Sequence, residues 1–448
     1  MAIVTPPFVL DGSYRRYDGL VIAGSPLRLF RLSAAGQRVA AAIEQQAELP
    51  PRHSKLTERL VDAGAIHPNP ADSPFTEADV TIVVPSLDTM PTAALDDNVI
   101  VVDDGSEPPL SGAAAQRIIR LPVNRGPAAA RNAGLAEVTT PLVAFVDTDV
   151  DLDAGWLQPL LRHFTDPRVA LVAPRVVSSE GLTALAEYET VRSPLDLGDQ
   201  PGRIAAGTRI SYVPAAAILV RTDALRAIGG FDESLRTGED VDMVWRLAAA
   251  GHRCRYEPAS TVHHRPRPSV SQWLRQRVAY GRSAPALDRK HRGAVAPLRM
   301  SGWSAAVWAL VFARRPVAAV AVAGGTIVAL RKKVPDLPPA ESLRLVGLGH
   351  LYAGRQVAGA ITRVWWPVAV LTALIAPRTR LPLLGAALVA PLLDWFERRG
   401  PLDPVRYVAV HLADDVAYGT GVWIGAIELR TVGALAPRFT NWPGRTAG

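Results

Sequence analysis

Four short, valine-rich apolar runs constrain the fold of this chain more than any other feature. They cover residues 80–85, 99–102, 142–146 and 169–174, and the segments between them are long enough to form helices. Strands that are apolar on both faces are typical of a parallel sheet with helices on both sides. The sequence therefore predicts an α/β nucleotide-binding domain for the central region, residues 76–300.

The first 75 residues predict a separate, small α+β module of the winged-helix-like type. Ser33 suits the N-cap of its first helix, and Gly64 suits the end of its second helix. The polar, proline-rich stretch 67–74 then predicts a linker. The predicted elements are strands near 14–22 and 27–32 and helices over 33–45 and 54–63.

Beyond Ser301 the chain is apolar in blocks, most of them shorter than the roughly 20 residues that a membrane-spanning helix needs. Tryptophans lie among the blocks and arginines at their ends, which is typical of helices at a membrane interface. Buried helices of a soluble bundle are the alternative. The blocks cover 303–313, 316–330, 364–376, 381–393 and 405–427, and the tryptophans are Trp303, Trp308, Trp365, Trp366, Trp395 and Trp423.

The basic charge of the chain is concentrated in the same region. From residue 301 onward there are 16 Lys and Arg against 8 Asp and Glu, so this third carries +8, whereas the whole chain carries +7. Because this surplus lies among apolar blocks without an interleaved aromatic RNA-binding pattern, an anionic membrane surface explains it better than nucleic acid. We therefore predict a hydrophobic helical, membrane-associating region over 301–448 and no nucleic-acid partner.

The catalytic region is expected in the cytoplasm, at the inner face of the cell membrane. Cys254 is the only cysteine, so no disulfide can form within the chain. The first residues also lack the basic stretch, apolar run and small-residue cleavage site of a secretory signal.

An acidic pair, Asp103 and Asp104, follows the second apolar run, and Gly105 and Ser106 then turn the chain. Ligands of open parallel sheets bind at the carboxyl ends of strands. Carboxylates at that edge can accept hydrogen bonds from a base or from ribose hydroxyls. An ordinary Asp-Gly turn is the alternative.

The segment 124–134 predicts a helix that begins close to a ligand. Its small residues allow a close approach, and Arg125 and Arg131 supply positive charge for a diphosphate near the helix N-terminus. A capped surface helix is the alternative.

Asp147 and Asp149 follow the third apolar run and are separated by one residue. Two carboxylates in this arrangement suit Mg²⁺ or Mn²⁺ bridging diphosphate oxygens, because these ions prefer oxygen donors and keep substrate phosphate as a ligand. We predict a divalent-metal site at this strand end.

Helical periodicity begins at Val241, so Glu239 and Asp240 are predicted to open a helix. Acidic residues there are often only helix caps, but a helix start also fixes a carboxylate rigidly, as a general base requires. Further along, His263 and His264 follow a strand-like segment. A neutral imidazole of this pair could complete the metal shell, and a solvent-exposed pair is the alternative.

In their order over residues 80–264, these motifs resemble the family 2 inverting glycosyltransferases of the GT-A fold. That resemblance implies that Asp104 and Asp103 bind the nucleoside of a UDP-sugar. It also implies a metal site formed by Asp147 and Asp149, with Asp149 as the more direct ligand and His263 as a further one.

The same resemblance implies that Asp240, paired with Glu239, is the general base that deprotonates an acceptor hydroxyl. The hydroxyl then attacks the anomeric carbon from the face opposite UDP, so one displacement inverts the sugar configuration. Metal and arginine charge stabilise the departing diphosphate. The chain has Gln272-Trp273-Leu274-Arg275-Gln276 where processive polysaccharide synthases of this family carry Gln-x-x-Arg-Trp, and this difference argues against a polymerase.

The N-terminal module, through its helix opening at 32–36 and the segment 56–66, resembles the PqqD-type peptide-recognition domains. Joined to the central domain and the apolar tail, it resembles the glycosyltransferases of mycofactocin systems. That resemblance implies transfer of glucose from UDP-glucose, in β-linkage, to mycofactocin or its precursor. A cell-wall or polyprenyl-phosphate glycosyltransferase and a non-catalytic peptide-binding scaffold are the alternatives.

Overall fold

A computed structural model describes residues 7–47, 54–91, 98–111, 117–181, 183–267 and 269–440. The chain forms two compact units, one made of Met1–Gly181 with Arg192–Pro266 and the other of Leu182–Val191 with Arg267–Gly448. The predicted N-terminal module and most of the predicted central domain share the first unit. The predicted boundary at residue 300 falls inside the second unit.

The N-terminal module contains five strands rather than the two predicted. The predicted strand over 14–22 is broken by a turn at Asp18, whose φ is 43°, so it forms two antiparallel strands. Ser33 caps the first helix as predicted and accepts the Gly36 N–H at 3.3 Å. The elements are β1 (Phe8–Leu10), β2 (Arg15–Tyr17), β3 (Leu20–Ala23), β4 (Arg28–Arg31), α1 (Ala34–Glu44), α2 (Ser54–Asp62) and β5 (Ile66–Pro68).

The central sheet has nine strands, and its order is β10-β14-β11-β13-β9-β6-β7-β8, with β12 also paired to β14. The valine-rich strands β6, β7 and β9 pair in parallel, as predicted. Strand β13 lies antiparallel between β9 and β11, so the sheet is mixed rather than parallel throughout. The strands are β6 (Val80–Ser86), β7 (Val99–Asp103), β8 (Arg117–Arg120), β9 (Leu142–Val146), β10 (Val150–Leu152), β11 (Val169–Ser178), β12 (Gly202–Arg203), β13 (Ala217–Arg221) and β14 (Arg253–His264).

Helix α3 packs closely on the parallel part of the sheet because small residues face the strands. A Cβ on Gly134 would lie only 2.3 Å from Cγ1 of Val83, so a larger residue there would push the helix away from the sheet. This close packing places Arg131, on the same helix, inside the protein. The helices of the first unit are α3 (Pro127–Glu137), α4 (Leu157–Arg162), α6 (Thr222–Ala227) and α7 (Glu239–Ala249), with 3-10 turns at Glu77–Asp79 and His163–Thr165.

The second unit is mainly helical. Its helix α8 contains the segment Gln272 to Gln276, in which Trp273 is buried and donates to Oε1 of Glu189 at 3.0 Å. Arg277 on the same helix donates to the same oxygen at 2.6 Å. The elements are α5 (Ala184–Arg192), α8 (Val270–Lys290), β15 (Arg299–Ser301), α9 (Gly302–Phe312), α10 (Pro316–Lys333), α11 (Pro339–Arg363), α12 (Trp366–Ile375), α13 (Arg380–Arg398), α14 (Pro404–Glu428) and β16 (Arg438–Thr440), with 3-10 turns at Pro377–Thr379 and Gly433–Leu435.

Several helices of the second unit leave large apolar side chains exposed. In α12 no residue is buried, and in α10 only Ala319 is. Among the described residues, one helical stretch, Pro377–Arg398, is long and apolar enough to cross a membrane, with a mean hydropathy of 1.2. Helices α11 and α12 pass the same test as a pair bent by 84°.

Candidate active site

The turn after β7 is held by Asp103. Its buried carboxylate accepts the N–H groups of Ser106 and Leu110 at 2.8 and 3.1 Å and Nη1 of Arg120 at 2.7 Å. Burial favours the neutral acid, but these hydrogen bonds outweigh it and hold the pKa of Asp103 below its usual value. Asp103 therefore shapes the turn, and its contact with a nucleoside stays a prediction.

Asp104 ties the same turn to the start of α3. Its two carboxylate oxygens accept the N–H groups of Arg125 and Gly126 at 2.7 and 2.8 Å. Gly105 has a φ of +81°, and a Cβ there would lie 2.6 Å from the backbone nitrogen of Asn124. Only glycine allows these two loops to approach so closely.

The guanidinium of Arg125 is half-exposed and pairs with Glu233 at 2.6 Å. Its predicted contact with the diphosphate stays a prediction.

Arg131 connects two predicted motifs. Its Nη2 donates to Oδ1 of Asp147 at 2.8 Å, and its Nη1 donates to Oε1 of Glu239 at 2.7 Å. The guanidinium also lies over the ring of Phe231, 5.5 Å from its centroid. Burial alone would lower the pKa of Arg131, but the two carboxylates raise it above its ordinary value. Arg131 is therefore a fixed cation that positions both acidic motifs.

The turn between β9 and β10 brings Asp149 to the end of β14. Nε2 of His264 lies 3.3 Å from Oδ2 of Asp149. His263 was the predicted ligand, but neighbouring residues of a strand point to opposite faces. It lies 3.5 Å from Oδ1 of Asp153 instead, with 41% of its side chain exposed. His264, rather than the predicted His263, is therefore the histidine that lies beside Asp149.

The residues at this turn fit a divalent metal ion. Asp149 and His264 converge with one oxygen and one nitrogen, a pair of donors that suits Mn²⁺. Oδ1 of Asp147 accepts from Arg131. Across the part of the chain that the structure describes, no group of three or more His, Cys, Asp or Glu residues is placed to hold a metal. Diphosphate oxygens would supply the remaining ligands, as they do in many magnesium and manganese sites.

Asp240 lies in the first turn of α7, as predicted. The helix begins at Gly238, whose φ of +83° turns the chain into it. Oδ2 of Asp240 accepts the N–H of Ala215 at 3.2 Å, and Oδ1 accepts the N–H of Val241 at 2.8 Å. The half-buried carboxylate is thus held in one orientation, which is the requirement for a general base.

Burial raises the pKa of all three carboxyl groups around Arg131. It raises the pKa of Glu239 to about 7, and the charge of Asp240 adds to this effect. It also raises the pKa of Asp240 and of Asp147, although Arg131 opposes the change in both. A carboxyl group with a pKa of about 7, next to a second one with a raised pKa and beside one fixed cation, is typical of a catalytic site.

Comparison with known proteins agrees with this geometry. Residues 87–229 match Glycosyl transferase family 2. The chain is 39% identical over 450 residues to the pre-mycofactocin glycosyltransferase of two Mycobacterium tuberculosis strains, and the alignment covers 94% of each protein. The chain belongs to this glycosyltransferase family.

More distant relatives share smaller parts of the chain. The succinoglycan biosynthesis protein ExoO of Rhizobium meliloti is 32% identical over 193 residues, which are 40% of this chain and 55% of ExoO. A solved structure of the mannosyltransferase PcManGT from Pyrobaculum calidifontis, in complex with GDP-Man and Mn²⁺, is 15% identical. It covers 80% of this chain and 89% of its own, with a TM-score of 0.41.

The family match and the relative that is 39% identical confirm the predicted family 2 glycosyltransferase fold and activity for this member of the pre-mycofactocin glycosyltransferase family. The structure adds contacts that the motifs alone did not reveal. Asn132 accepts the N–H of Phe231 at 2.9 Å and donates to the carbonyl oxygen of Phe231 at 2.8 Å. This two-way contact fixes the loop before α7, and no sequence pattern pointed to it.

Proposed function

We propose that this glycosyltransferase moves a sugar from a UDP-sugar donor, glucose from UDP-glucose, onto mycofactocin or its precursor. The linkage formed is β, and the sugar configuration is inverted. The single observation that carries the proposal is the fixed arrangement in which Arg131 joins Asp147 to Glu239, beside Asp240. It brings the predicted donor-binding motif and the predicted base to one buried cation.

The donor is bound at the turn after β9. Asp149 and His264 would hold a divalent metal ion, which would neutralise charge that develops on the departing diphosphate. Asp147, fixed by Arg131, is left with Oδ2 to accept a hydroxyl of the donor. Asp104, whose carboxylate closes the loop before α3, lies at the carboxyl end of β7 where the nucleoside is expected.

Asp240 removes the proton from the acceptor hydroxyl. Its raised pKa makes it a stronger base than an exposed aspartate, because burial disfavours its charged form. The acceptor oxygen attacks the anomeric carbon from the face opposite the diphosphate as that bond breaks. The proton passes to Asp240, and the new glycosidic bond has the opposite configuration to the donor.

The N-terminal module is proposed to recognise the peptide-derived acceptor. Support comes from its α+β composition and its likeness to PqqD-type domains in residues 32–36 and 56–66.

The second unit is proposed to hold the enzyme on the cytoplasmic face of the cell membrane. Support for this comes from exposed apolar side chains, such as Val317, Ile375 and Leu381, which are each more than 70% exposed.

The test of the proposed function is a donor and acceptor panel with the full-length protein. Release of UDP from UDP-glucose and a mass increase of one hexose on the mycofactocin precursor are the expected results. Transfer to a polyprenyl phosphate, with none to the mycofactocin precursor, would support the cell-wall alternative instead. Donor binding without any transfer would support the scaffold alternative.

A further inference from the structure

The face of the central sheet next to the N-terminal module carries a cluster of arginines that the proposed reaction does not use. We call Arg203 and Arg255, together with Arg28 and Arg209, the arginine junction. Arg255 lies on β14 and is 3% exposed, whereas Arg203 on β12 is half-buried. Arg28 and Arg209 are exposed, so the cluster extends from the interior of the unit to its surface.

Arg203 and Arg255 are direct partners in the antiparallel pair of β12 and β14. Directly opposite residues of such a pair have their side chains on the same face and close together. Like charges in this position repel each other, and burial of one of them increases the cost. An arginine pair of this kind is therefore destabilising unless negative charge lies between or beside the two guanidinium groups.

Asp62 and Asp166 lie near enough for their charge to act on Arg255, but among the described residues no carboxylate contacts its guanidinium or that of Arg203. The guanidinium groups of Arg203 and Arg255 make no hydrogen bond and no ion pair there, and Nη1 of Arg255 is buried without a partner. Burial, together with the charge of Arg253, lowers the pKa of Arg255 to about 10. The buried guanidinium group of Arg255, which has no hydrogen-bond or ion-pair partner among the described residues, thus lies at the inner end of the arginine junction.

The neighbouring carboxylates are engaged elsewhere. Arg253, on the same face of β14, pairs with Asp62 of α2 at 2.7 Å and with Asp166 at 2.5 Å. On the other side of Arg255, Glu257 pairs with His163 at 2.8 Å. Arg255 therefore lies between two satisfied ion pairs and is itself unsatisfied.

The N-terminal module borders the same place. A Cβ on Gly64 would lie 3.6 Å from Cβ of Arg203, and Ser25 accepts the N–H of Arg209 at 2.5 Å. Burial lowers the pKa of His67, and the charges of Arg255 and Arg209 act on it in the same direction. The junction is thus formed by both parts of the first unit.

We propose that the arginine junction binds an oxyanion, a phosphate or a carboxylate group of a ligand, with Arg255 and Arg203 as its cationic partners. The planar guanidinium fork matches both kinds of oxyanion. Residues 28, 203, 209 and 255 are separate from the acidic motifs of the proposed active site. The site therefore binds a second anionic group, independent of the donor diphosphate.

The test is thermal unfolding of the full-length protein in sodium phosphate, sodium acetate or sodium chloride at equal ionic strength. UDP and Mg²⁺ are kept saturating throughout, so that the proposed donor site is already filled. We expect the unfolding midpoint to rise by roughly 5 °C in saturating phosphate or acetate relative to chloride. A rise in only one of them identifies which oxyanion the site selects.

The variants decide whether the junction is responsible. Arg255→Met should lose the rise and, in chloride alone, should be at least as stable as the wild type, because a buried unpaired charge is removed. Arg203→Met, at a more exposed position, should weaken the rise. Arg168→Met is the matched control, since Arg168 has carboxylate neighbours, Glu58 and Asp62, and should keep the rise.

Two results would overturn the proposal. The first is an unfolding midpoint of the wild type that is the same in all three salts. The second is a full rise in Arg255→Met, which would assign the effect to another surface.

Discussion

Nε2 of His264 lies 3.3 Å from Oδ2 of Asp149, while the adjacent His263 points to the opposite side of the strand. We therefore expect His264→Ala and Asp149→Ala to weaken Mn²⁺-dependent donor binding by roughly 10- to 100-fold. Calorimetric titration of UDP-glucose with and without Mn²⁺ measures this. His263→Ala is the matched control and should bind the donor as the wild type does. Equal losses in both histidine variants would contradict the assignment.

Replacement of the proposed base should remove turnover but keep donor binding. For Asp240→Asn we expect transfer to fall by about 10² to 10⁴, the usual contribution of general-base catalysis. Affinity for the donor and Mn²⁺ should change little, because Asp240 contacts neither in the proposed arrangement. Glu233→Gln, which alters a surface acid paired with Arg125, serves as the control for both measurements. Wild-type turnover in Asp240→Asn would exclude this residue as the base.

The fall in transfer rate on the acidic side of the pH profile should follow protonation of the Asp240 carboxylate. The base must be deprotonated, so the rate falls as the pH falls through its pKa. Because burial raises that pKa, we expect the rate to fall at a pH above 3.8, the ordinary value for aspartate. Arg131 stabilises the charged form of Asp240. An Arg131→Lys enzyme keeps the positive charge but loses the planar guanidinium group. If that enzyme is active, the pH at which its rate falls should therefore differ from that of the wild type. A fall near pH 3.8 in the wild type would contradict the buried environment.

Arg131 should be important for stability as well as for activity. Arg131→Met leaves the carboxylates of Asp147 and Glu239 without their cation, and removing one partner of a buried ion pair costs about 3–5 kcal/mol. Chemical denaturation of the detergent-solubilised protein measures this loss. Arg117→Met is the control because its pair with Glu137 is exposed, and surface pairs contribute about 1 kcal/mol or less. Similar losses in the free energy of unfolding in both variants would show that the ion pairs of Arg131 contribute no more than an exposed pair.

Glu239 should make stability depend on pH near neutrality. Its pKa is raised from 4.5 to about 7 in the folded protein, so the folded state binds the proton more tightly than the unfolded state does. This contribution is complete below pH 4.5 and is lost as the pH rises through about 7. Glu239→Gln should flatten the fall in unfolding midpoint over that range. If the unfolding midpoint of Glu239→Gln depends on pH as that of the wild type does, the raised pKa of Glu239 is contradicted.

The exposed apolar helices should determine membrane attachment. Apolar area and basic charge together give stable binding to an anionic surface. We expect the wild type to pellet with membranes, and the double variant Ile375→Glu with Leu381→Glu to move toward the soluble fraction. Leu27→Glu, at an exposed apolar residue of the N-terminal module, should not change the distribution. Recovery of the wild-type protein in the soluble fraction at low salt would mean that these helices pack against protein instead.

The sequence by itself determined the strands of the parallel half of the sheet and the order of the motifs along it. Continuous apolar runs have few alternatives to a buried strand, and the acidic residues directly after them necessarily lie at the strand ends. For the same reason the sequence places Asp149 after a strand and Asp240 at the start of a helix, because each lies next to a local boundary between elements.

Only the tertiary structure decided which of those residues face each other. The pairing of Val150 with His264 and of Asp151 with His263 places one histidine beside Asp149 and turns the other away, and strand register depends on distant residues. Likewise, Asp103 and Arg131 resembled ligand-binding residues in sequence, but their hydrogen bonds are to other parts of the same chain. Burial forces each such group to find a partner, and the sequence does not show which partner the fold brings near.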